Sequence, residues 1–446
     1  MKIVIPAYVL AVLGRLTLNG YQAYIVGGCV RDSLLHKSPD DYDVCTDCVP
    51  EEMVKIFGDM HTIETGLKHG TLTVMSHHMP VEVTTFRSDG DYKDHRRPEN
   101  VRFEKELSQD LKRRDFTINA MCYNEQEGII DLFGGVSDLE KGIIKCVGDP
   151  EQRFEEDALR IMRAVRFAST LDFQIEKDTL SAMHKKCESL ELISAERIFT
   201  ELKKLLCGRG VERVLQEHSS IITQVIPELA PCIGCKQDCP HHCYDVYTHI
   251  CKSVANILPD EELRLTMLFH DIEKPALKTT DEQGIDHFKM HPFYSAKTAK
   301  KILRRLKSSR KTEKRVTDLV REHDNRIPAV KKSVKRLISK YSYEFYSDWL
   351  KVRKADTLAQ SEYKRAEKLQ ELRELKQLGE LIKAEDSCLK IKDLAVNGND
   401  MIALGLSGAQ IRDALEMALE AVIEETIMNK RDELIGYIKG EFPKCK

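Results

Sequence analysis

Apolar residues recur along this chain in two periods, and the change from one to the other divides it. Up to about residue 148 they come in short runs between glycines and prolines. Tyr24 to Val26 is a compact apolar run stopped by Gly27 and Gly28, and Val81 to Phe86 alternates and is rich in β-branched residues, so both predict strands. Residues 61 to 87 read as strands around turns at Gly66, Gly70 and His78–Pro80. Helical patterning marks the N-terminal stretch, Val30 to Leu35 and residues 51 to 57. Residues 87 to 101 have no apolar period and read as a mobile loop. From Asp149-Pro150 onward the pattern is almost wholly helical, through a charged, Leu-spaced helix at 361 to 383 and another beginning near Asp400. The fold class expected is α+β: a strand-bearing head followed by helices.

Length and composition narrow this further. A chain of 446 residues, 42% hydrophobic and 32% charged, should hold two to four domains with substantial cores. No apolar run is long enough to cross a membrane, and the N-terminal apolar stretch is broken by Pro6 and Arg15, which suits an amphipathic helix and not a signal peptide. Fourteen cysteines without disulfide-module spacing suit a reducing, cytoplasmic location. The net charge of −3 speaks weakly against a nucleic-acid partner, but residues 297 to 336 hold sixteen Lys/Arg against four Asp/Glu. That local excess should repel itself strongly, so a polyanion partner is expected there.

The chemistry concentrates in a few motifs. Gly27-Gly28 after a strand lets the backbone turn tightly and present bare N–H groups to an anion such as a triphosphate. Asp41 and Asp43 follow, and on an extended segment they face the same way. Two carboxylates so placed repel each other unless a divalent cation lies between them, and oxygen-only ligands beside a phosphate cradle suggest Mg²⁺. Glu82, on the alternating strand, is a candidate third carboxylate. In the run Arg113-Arg114-Asp115-Phe116-Thr117-Ile118-Asn119-Ala120, Arg114 can fork onto phosphate oxygens while Asp115 and Asn119 can bond ribose hydroxyls. The helix expected after Pro150 carries Glu156, Asp157 and Arg160, with Glu156 and Arg160 four residues apart on one face. Ser194 is a plausible N-cap for a helix running through Leu206, with Glu196 and Arg197 bracing it.

These motifs together resemble the nucleotidyltransferases of the DNA polymerase beta superfamily. More narrowly they resemble the class II tRNA nucleotidyltransferases, the CCA-adding enzymes, and their bacterial poly(A) polymerase relatives. The resemblance implies a polymerase-beta-like head with a mixed sheet (1–148), a helical neck (149–230), a body (231–360) and a helical tail (361–446). It implies that Asp41 and Asp43 hold Mg²⁺ with help from Glu82, and that Gly27, Gly28, Arg31, Asp32, Arg114, Asp115 and Asn119 bind nucleotide. Glu156, Asp157, Arg160 and Arg163 complete that set, with Asp157 and Arg160 offering Watson–Crick-like hydrogen bonds to C or A. The expected partners are CTP, ATP and the acceptor and T-arm of tRNA. The loop at 87 to 101, complete in length, would favour full CCA addition, and Asp131 to Gly135 would be the head–neck hinge.

A second pattern lies in the body. His249, then His270-Asp271, His291, His323-Asp324 and finally Asp356 resemble the HD phosphohydrolases. That resemblance assigns His249, His270, Asp271 and Asp356, with Asp324 competing for the last place, to a second divalent metal. Just upstream, Cys232, Cys235, Cys239 and Cys243 have a spacing shorter than zinc sites usually show, and free thiols are expected. Alternatives to CCA addition are poly(A) synthesis, metal-dependent phosphohydrolysis at the HD motif, and RNA binding alone.

Overall fold

The computed structural model describes residues 2–89, 101–385 and 387–441. The chain forms two compact units, Met1–Ala230 with Arg305–Ser308, and Pro231–Arg304 with Ser309–Lys446. Among the described residues no helix is long and apolar enough to cross a membrane.

The first unit begins with a mixed sheet. Its strands are β1 (Ala23–Val26), β2 (Asp43–Thr46), β3 (Thr62–Ile63), β4 (Thr71–Ser76) and β5 (Met79–Thr85). After the short pair β6 (Arg87–Asp89) and β7 (Val101–Phe103) come β8 (Met121–Asn124) and β9 (Gly128–Asp131). The seven-stranded sheet runs β3-β4-β5-β2-β1-β8-β9, and β2 and β5 are parallel while the other pairs are antiparallel. All four residues of β1 are buried, which is why the strand reads as an unbroken apolar run: it is central and covered on both faces. One face of the sheet packs around Tyr24, Val26, Cys45, Phe86, Leu111 and Cys122. The helix Ala7–Leu18 lays Val9, Val12, Leu13 and Leu16 on β1, β4 and β5, so the N-terminal apolar stretch is core.

Three expectations change. The strand carrying the carboxylates starts at Asp43, with Asp41 just outside it. Residues 87–89 and 101–103 are not loop but pair antiparallel as β6 and β7; the rest of the expected loop, 90–100, lies outside the described residues. The helix expected to run on from Pro150 is two helices, Pro150–Glu156 and Leu159–Leu171. Asp157 between them is extended (φ −144°, ψ 102°), and its carboxylate accepts the N–H of Leu159 at 3.0 Å, starting the second helix afresh. Ser194 does stand before the helix Ala195–Leu206, but its hydroxyl makes no capping bond.

The second unit is helical, around Tyr346 and Trp349, with a separate cluster of Val396, Met401, Ala414, Ala418, Leu434 and Ile438 near the C-terminus. Its basic stretch is less exposed as charge than its composition implied. Arg315 pairs with Glu262 (2.7 Å) and Asp348 (2.5 Å), Lys335 with Glu425 (2.9 Å), and Arg336 with Glu420 (2.8 Å). Acids brought in from distant sequence neutralise part of the excess that a local count reads as uncompensated.

Candidate nucleotide cleft and a buried imidazole cluster

Gly27 ends β1 with φ +80°, a conformation a side chain resists, and a Cβ there would come 3.1 Å from Nη1 of Arg114. The turn therefore leaves room beside that guanidinium before the helix Gly28–Leu34 begins. On this helix Arg31 forks onto Asp32 (2.9 and 2.8 Å) and donates to Oδ1 of Asn119 at 2.7 Å. Arg114 donates to buried Asp110 at 3.0 Å, as does Arg113 at 2.6 Å. Burial works against the charge of Asp110, but Arg114 and Arg113 outweigh it and hold the carboxyl below its usual range.

Asp115 is fixed just as firmly. Its oxygens accept from the backbone N–H of Phe116 (2.8 Å), the amide of Asn119 (3.1 Å) and Nε of Arg163 (2.7 Å). Burial opposes ionisation here too, yet the Arg163 charge and the Asn119 bond bring Asp115 down to about 2. Glu156 and Arg160, although on different helices, still meet at 2.6 Å, and Glu156 also takes Arg153. Asp157 faces Arg197, which donates to both its oxygens (2.7 and 3.3 Å). A cleft of about 330 Å³ opens among them, its walls carrying Arg31, Arg113, Arg114, Arg160, Arg163 and Arg197 against Asp115 and Asp157. Arg113 and Arg197 were not assigned to nucleotide from sequence; Arg197 reads as a brace there and is one, but what it braces is Asp157 in the cleft wall. Glu156 is not on this wall; it holds Arg160 from behind.

The carboxylates stand on the neighbouring part of the sheet. Asp43 is in register with Glu82 across the parallel β2–β5 pair, both exposed between buried neighbours, and Asp41 precedes Asp43 with buried Tyr42 between them. Surrounding atoms, then the charges of Asp41 and Glu82, push Asp43 up to about 6 against the pull of Arg114. A carboxylate strained in this way by its neighbours suits a divalent cation, and the donors are all oxygen. Among the described residues, the only sets of three ligand atoms within 4.8 Å of one another lie elsewhere, in the second unit.

There His249, His270, Asp271 and Asp356 come together. Nε2 of His249 is 3.0 Å from Oδ1 of Asp356, 3.3 Å from Oδ2 of Asp271 and 3.1 Å from Nε2 of His270. Burial alone would lower the His249 pKa, but hydrogen bonds and charge from Asp271 and Asp356 raise it to about 9, so these carboxylates attract positive charge at that nitrogen. Asp324 does not approach the imidazoles; its partner is Arg326 at 3.7 Å. The cysteines do not converge: Cys232 is buried with Sγ on the carbonyl of Ile272 (3.5 Å), while Cys243 is exposed, and both thiols are free.

The mixed sheet, the glycine turn and the arginine cleft define a nucleotidyltransferase-type head of the polymerase-beta class. Comparison with known proteins agrees. Residues 23–145 match the family model for the poly(A) polymerase head domain, 172–233 one described as a probable RNA and SrmB-binding site of polymerase A, and 278–438 one for tRNA nucleotidyltransferase domain 2. The chain is 51% identical over 199 residues to the CCA-adding enzyme of Limosilactobacillus reuteri, covering 45% of this chain and 49% of that one. It is 47% identical over 224 residues to the CCA-adding enzyme of Streptococcus gordonii, covering 49% and 55%. The matched stretch thus spans about half the length of these curated relatives. The crystal structure of the Bacillus stearothermophilus CCA-adding enzyme in complex with CTP superposes over 98% of both chains, with TM-score 0.74 and 27% identity. The Thermotoga maritima CCA-adding enzyme complexed with tRNA shares the fold (TM-score 0.59, 19% identity, 99% of this chain and 100% of that one). Across these matches the chain is similar to the class II tRNA nucleotidyltransferases.

Proposed function

We propose that this protein adds C, C and A to the 3′ end of tRNA from CTP and ATP, releasing pyrophosphate, with the tRNA 3′-hydroxyl attacking the α-phosphate. The observation that carries this is the cleft: an arginine-rich wall suits a triphosphate, and Asp157 and Arg160 stand on it within reach of a bound base. The ring nitrogen of C or A accepts a hydrogen bond and its amino group donates one, matching a guanidinium donor beside a carboxylate acceptor. G and U present the reverse order and would leave both side chains facing like partners. Arg114 would bind phosphate oxygens in the space that Gly27 leaves, with Arg31, Asp32 and Gly28 shaping the turn. Asp115 and Asn119, already locked by Arg163 and Arg31, would meet the ribose.

Asp41 and Asp43, with Glu82, are the residues that would hold Mg²⁺, which when bound would acidify the attacking hydroxyl and neutralise the leaving pyrophosphate. The four-part division into head (1–148), neck (149–230), HD-type body (231–360) and tail (361–446), with a cytoplasmic site of action and the tRNA acceptor and T-arm on body and tail, belongs to the same proposal. A second reading, phosphoester hydrolysis by the body, is favoured by the convergence of His249, His270, Asp271 and Asp356.

The test is incubation of the purified chain and Mg²⁺ with a tRNA lacking its 3′ end. Growth by two nucleotides with CTP, and by one more when ATP is added, is the expected result. A long ladder with ATP alone would replace the reading with poly(A) synthesis.

A further inference from the structure

Three guanidiniums gather on one aromatic ring in the wall of the arginine-rich cleft. Phe167 lies on the helix Leu159–Leu171, is 4% exposed, and among the described residues is the one aromatic side chain lining that cleft. Cζ of Arg31 lies 5.1 Å from its ring centroid, Cζ of Arg163 5.5 Å and Cζ of Arg166 3.8 Å. Arg31 belongs to a different helix, Gly28–Leu34, so local spacing alone does not assemble the cluster. The Phe167 ring packs edge-to-face with buried Phe116, 5.8 Å away at 81°.

Like charges this close to one ring repel one another, and each has a carboxylate of its own. Asp32 pairs with Arg31 at 2.8 Å, Asp115 with Arg163 at 2.6 Å and Glu201 with Arg166 at 2.7 Å. These pairs offset the charge, but a carboxylate alone does not decide where a long, flexible arginine rests. An electron-rich ring face does, because a cation is drawn to the face and not to the edge. Burial, then the Arg163 charge, brings Arg166 down to about 10 against the pull of Glu201. That cation is poorly solvated, the condition in which a ring face attracts most strongly.

Two of the three arginines reach the groups assigned to the ribose. Arg163 holds Asp115 through Nε at 2.7 Å and Nη2 at 2.6 Å. Arg31 donates through Nη1 to Oδ1 of Asn119 at 2.7 Å, which fixes the sense of that amide: its nitrogen is left to donate to Asp115 at 3.1 Å. An amide turned over would offer a sugar hydroxyl the opposite partner. We propose that Phe167 is a positioning residue for ribose recognition: it seats Arg31 and Arg163, and through them sets Asn119 and Asp115 to meet the 2′-hydroxyl of the incoming nucleotide. The inference rests on the reading of the cleft as a CTP and ATP site. Phe167 acts only through the two arginines, and a deoxyribonucleotide, lacking that hydroxyl, gains nothing from the arrangement.

The test compares CTP with dCTP on the full-length chain in Mg²⁺, by equilibrium titration and by addition to a tRNA lacking its 3′ end. The unaltered chain should bind CTP more tightly than dCTP. Phe167→Leu, which keeps an apolar side chain but no ring face, should lower that preference by about tenfold, with the loss falling on CTP. A trifluorinated phenylalanine at position 167 keeps the ring's shape while drawing electron density from its face. It should lower the preference several-fold at an unchanged melting temperature, a response that space-filling alone would not give. An unchanged preference in the trifluorinated chain would overturn the inference, even where Phe167→Leu lowers it or fails to fold. Equal binding of CTP and dCTP by the unaltered chain would overturn it too. A chain that binds CTP over dCTP, loses that preference on fluorination and yet adds no C sinks the transfer reading alone and upholds the role of Phe167.

Discussion

The two polar centres of this protein handle charge in opposite ways. In the head, the charged groups in and behind the cleft wall already have protein partners: Asp110 with two arginines, Asp115 with Arg163 and Asn119, Asp157 with Arg197, Glu156 with Arg160. The carboxylates beside the cleft are the exception: surrounding atoms and the charges of Asp41 and Glu82 push Asp43 up to about 6. In the second unit the imidazoles and Asp271 are buried and close, and neither oxygen of Asp271 accepts a well-directed hydrogen bond. A centre built this way costs free energy until an ion occupies it, so it suits a resident metal.

The largest effect that would break this contrast concerns the head carboxylates. Asp43→Ala or Asp41→Ala should lower nucleotidyl transfer by at least about 10³-fold while tRNA binding and the melting temperature hold. A gel assay beside a binding titration and a melt checks it, and retained transfer would remove these residues from the reaction.

Next comes the chelator. If the buried centre carries resident ions, their removal should destabilise the second unit by about 3 to 4 kcal/mol, the effect of an ion present at 10² to 10³ times its dissociation constant. Calorimetry of the chain with and without chelator should show that loss, with recovery on adding Mn²⁺ and none on adding equimolar Mg²⁺.

A smaller effect sharpens the account of the cleft. The folded pKa of Asp115, about 2, lies below the value of about 4 expected in the unfolded chain. Its stabilisation is therefore present above pH 4 and is lost as pH falls toward 2, with a magnitude on the order of 2 kcal/mol. Asp115→Asn should remove it, so acid-unfolding curves of variant and parent should differ at neutral pH and converge near pH 2.

The smallest effect belongs to Arg197→Ala. Releasing Asp157 from its brace should reduce kcat/KM for CTP and ATP by about tenfold or less and raise incorporation of U, as single-nucleotide kinetics would show.

Local chemistry carried much of the architecture. The apolar run at 24–26 and the alternation at 81–86 are strands because neighbouring residues alone set their pattern, and Gly27 is at positive φ where a tight turn was expected. Asn397 caps the helix Gly398–Ala403 through a reciprocal bond with Asp400, a signal contained within four residues. The strings whose residues line the cleft were visible for the same reason: each is contiguous, with its polar residues a few positions apart.

What needed the tertiary structure is whatever depends on a distant partner. The helix break at Asp157 combines a local bond to the N–H of Leu159 with a distant one, for Arg197, forty residues on, fixes the carboxylate there. The basic stretch reads as bare charge until Glu262, Asp348 and Glu420 arrive from elsewhere in the second unit. His291 and His323 were visible as letters, but their place opposite His249 and His270 arises only where helices from five parts of the chain meet at Asp271. Periodicity and capping act over one or two turns, whereas the position of a lone pair is set by how whole helices pack.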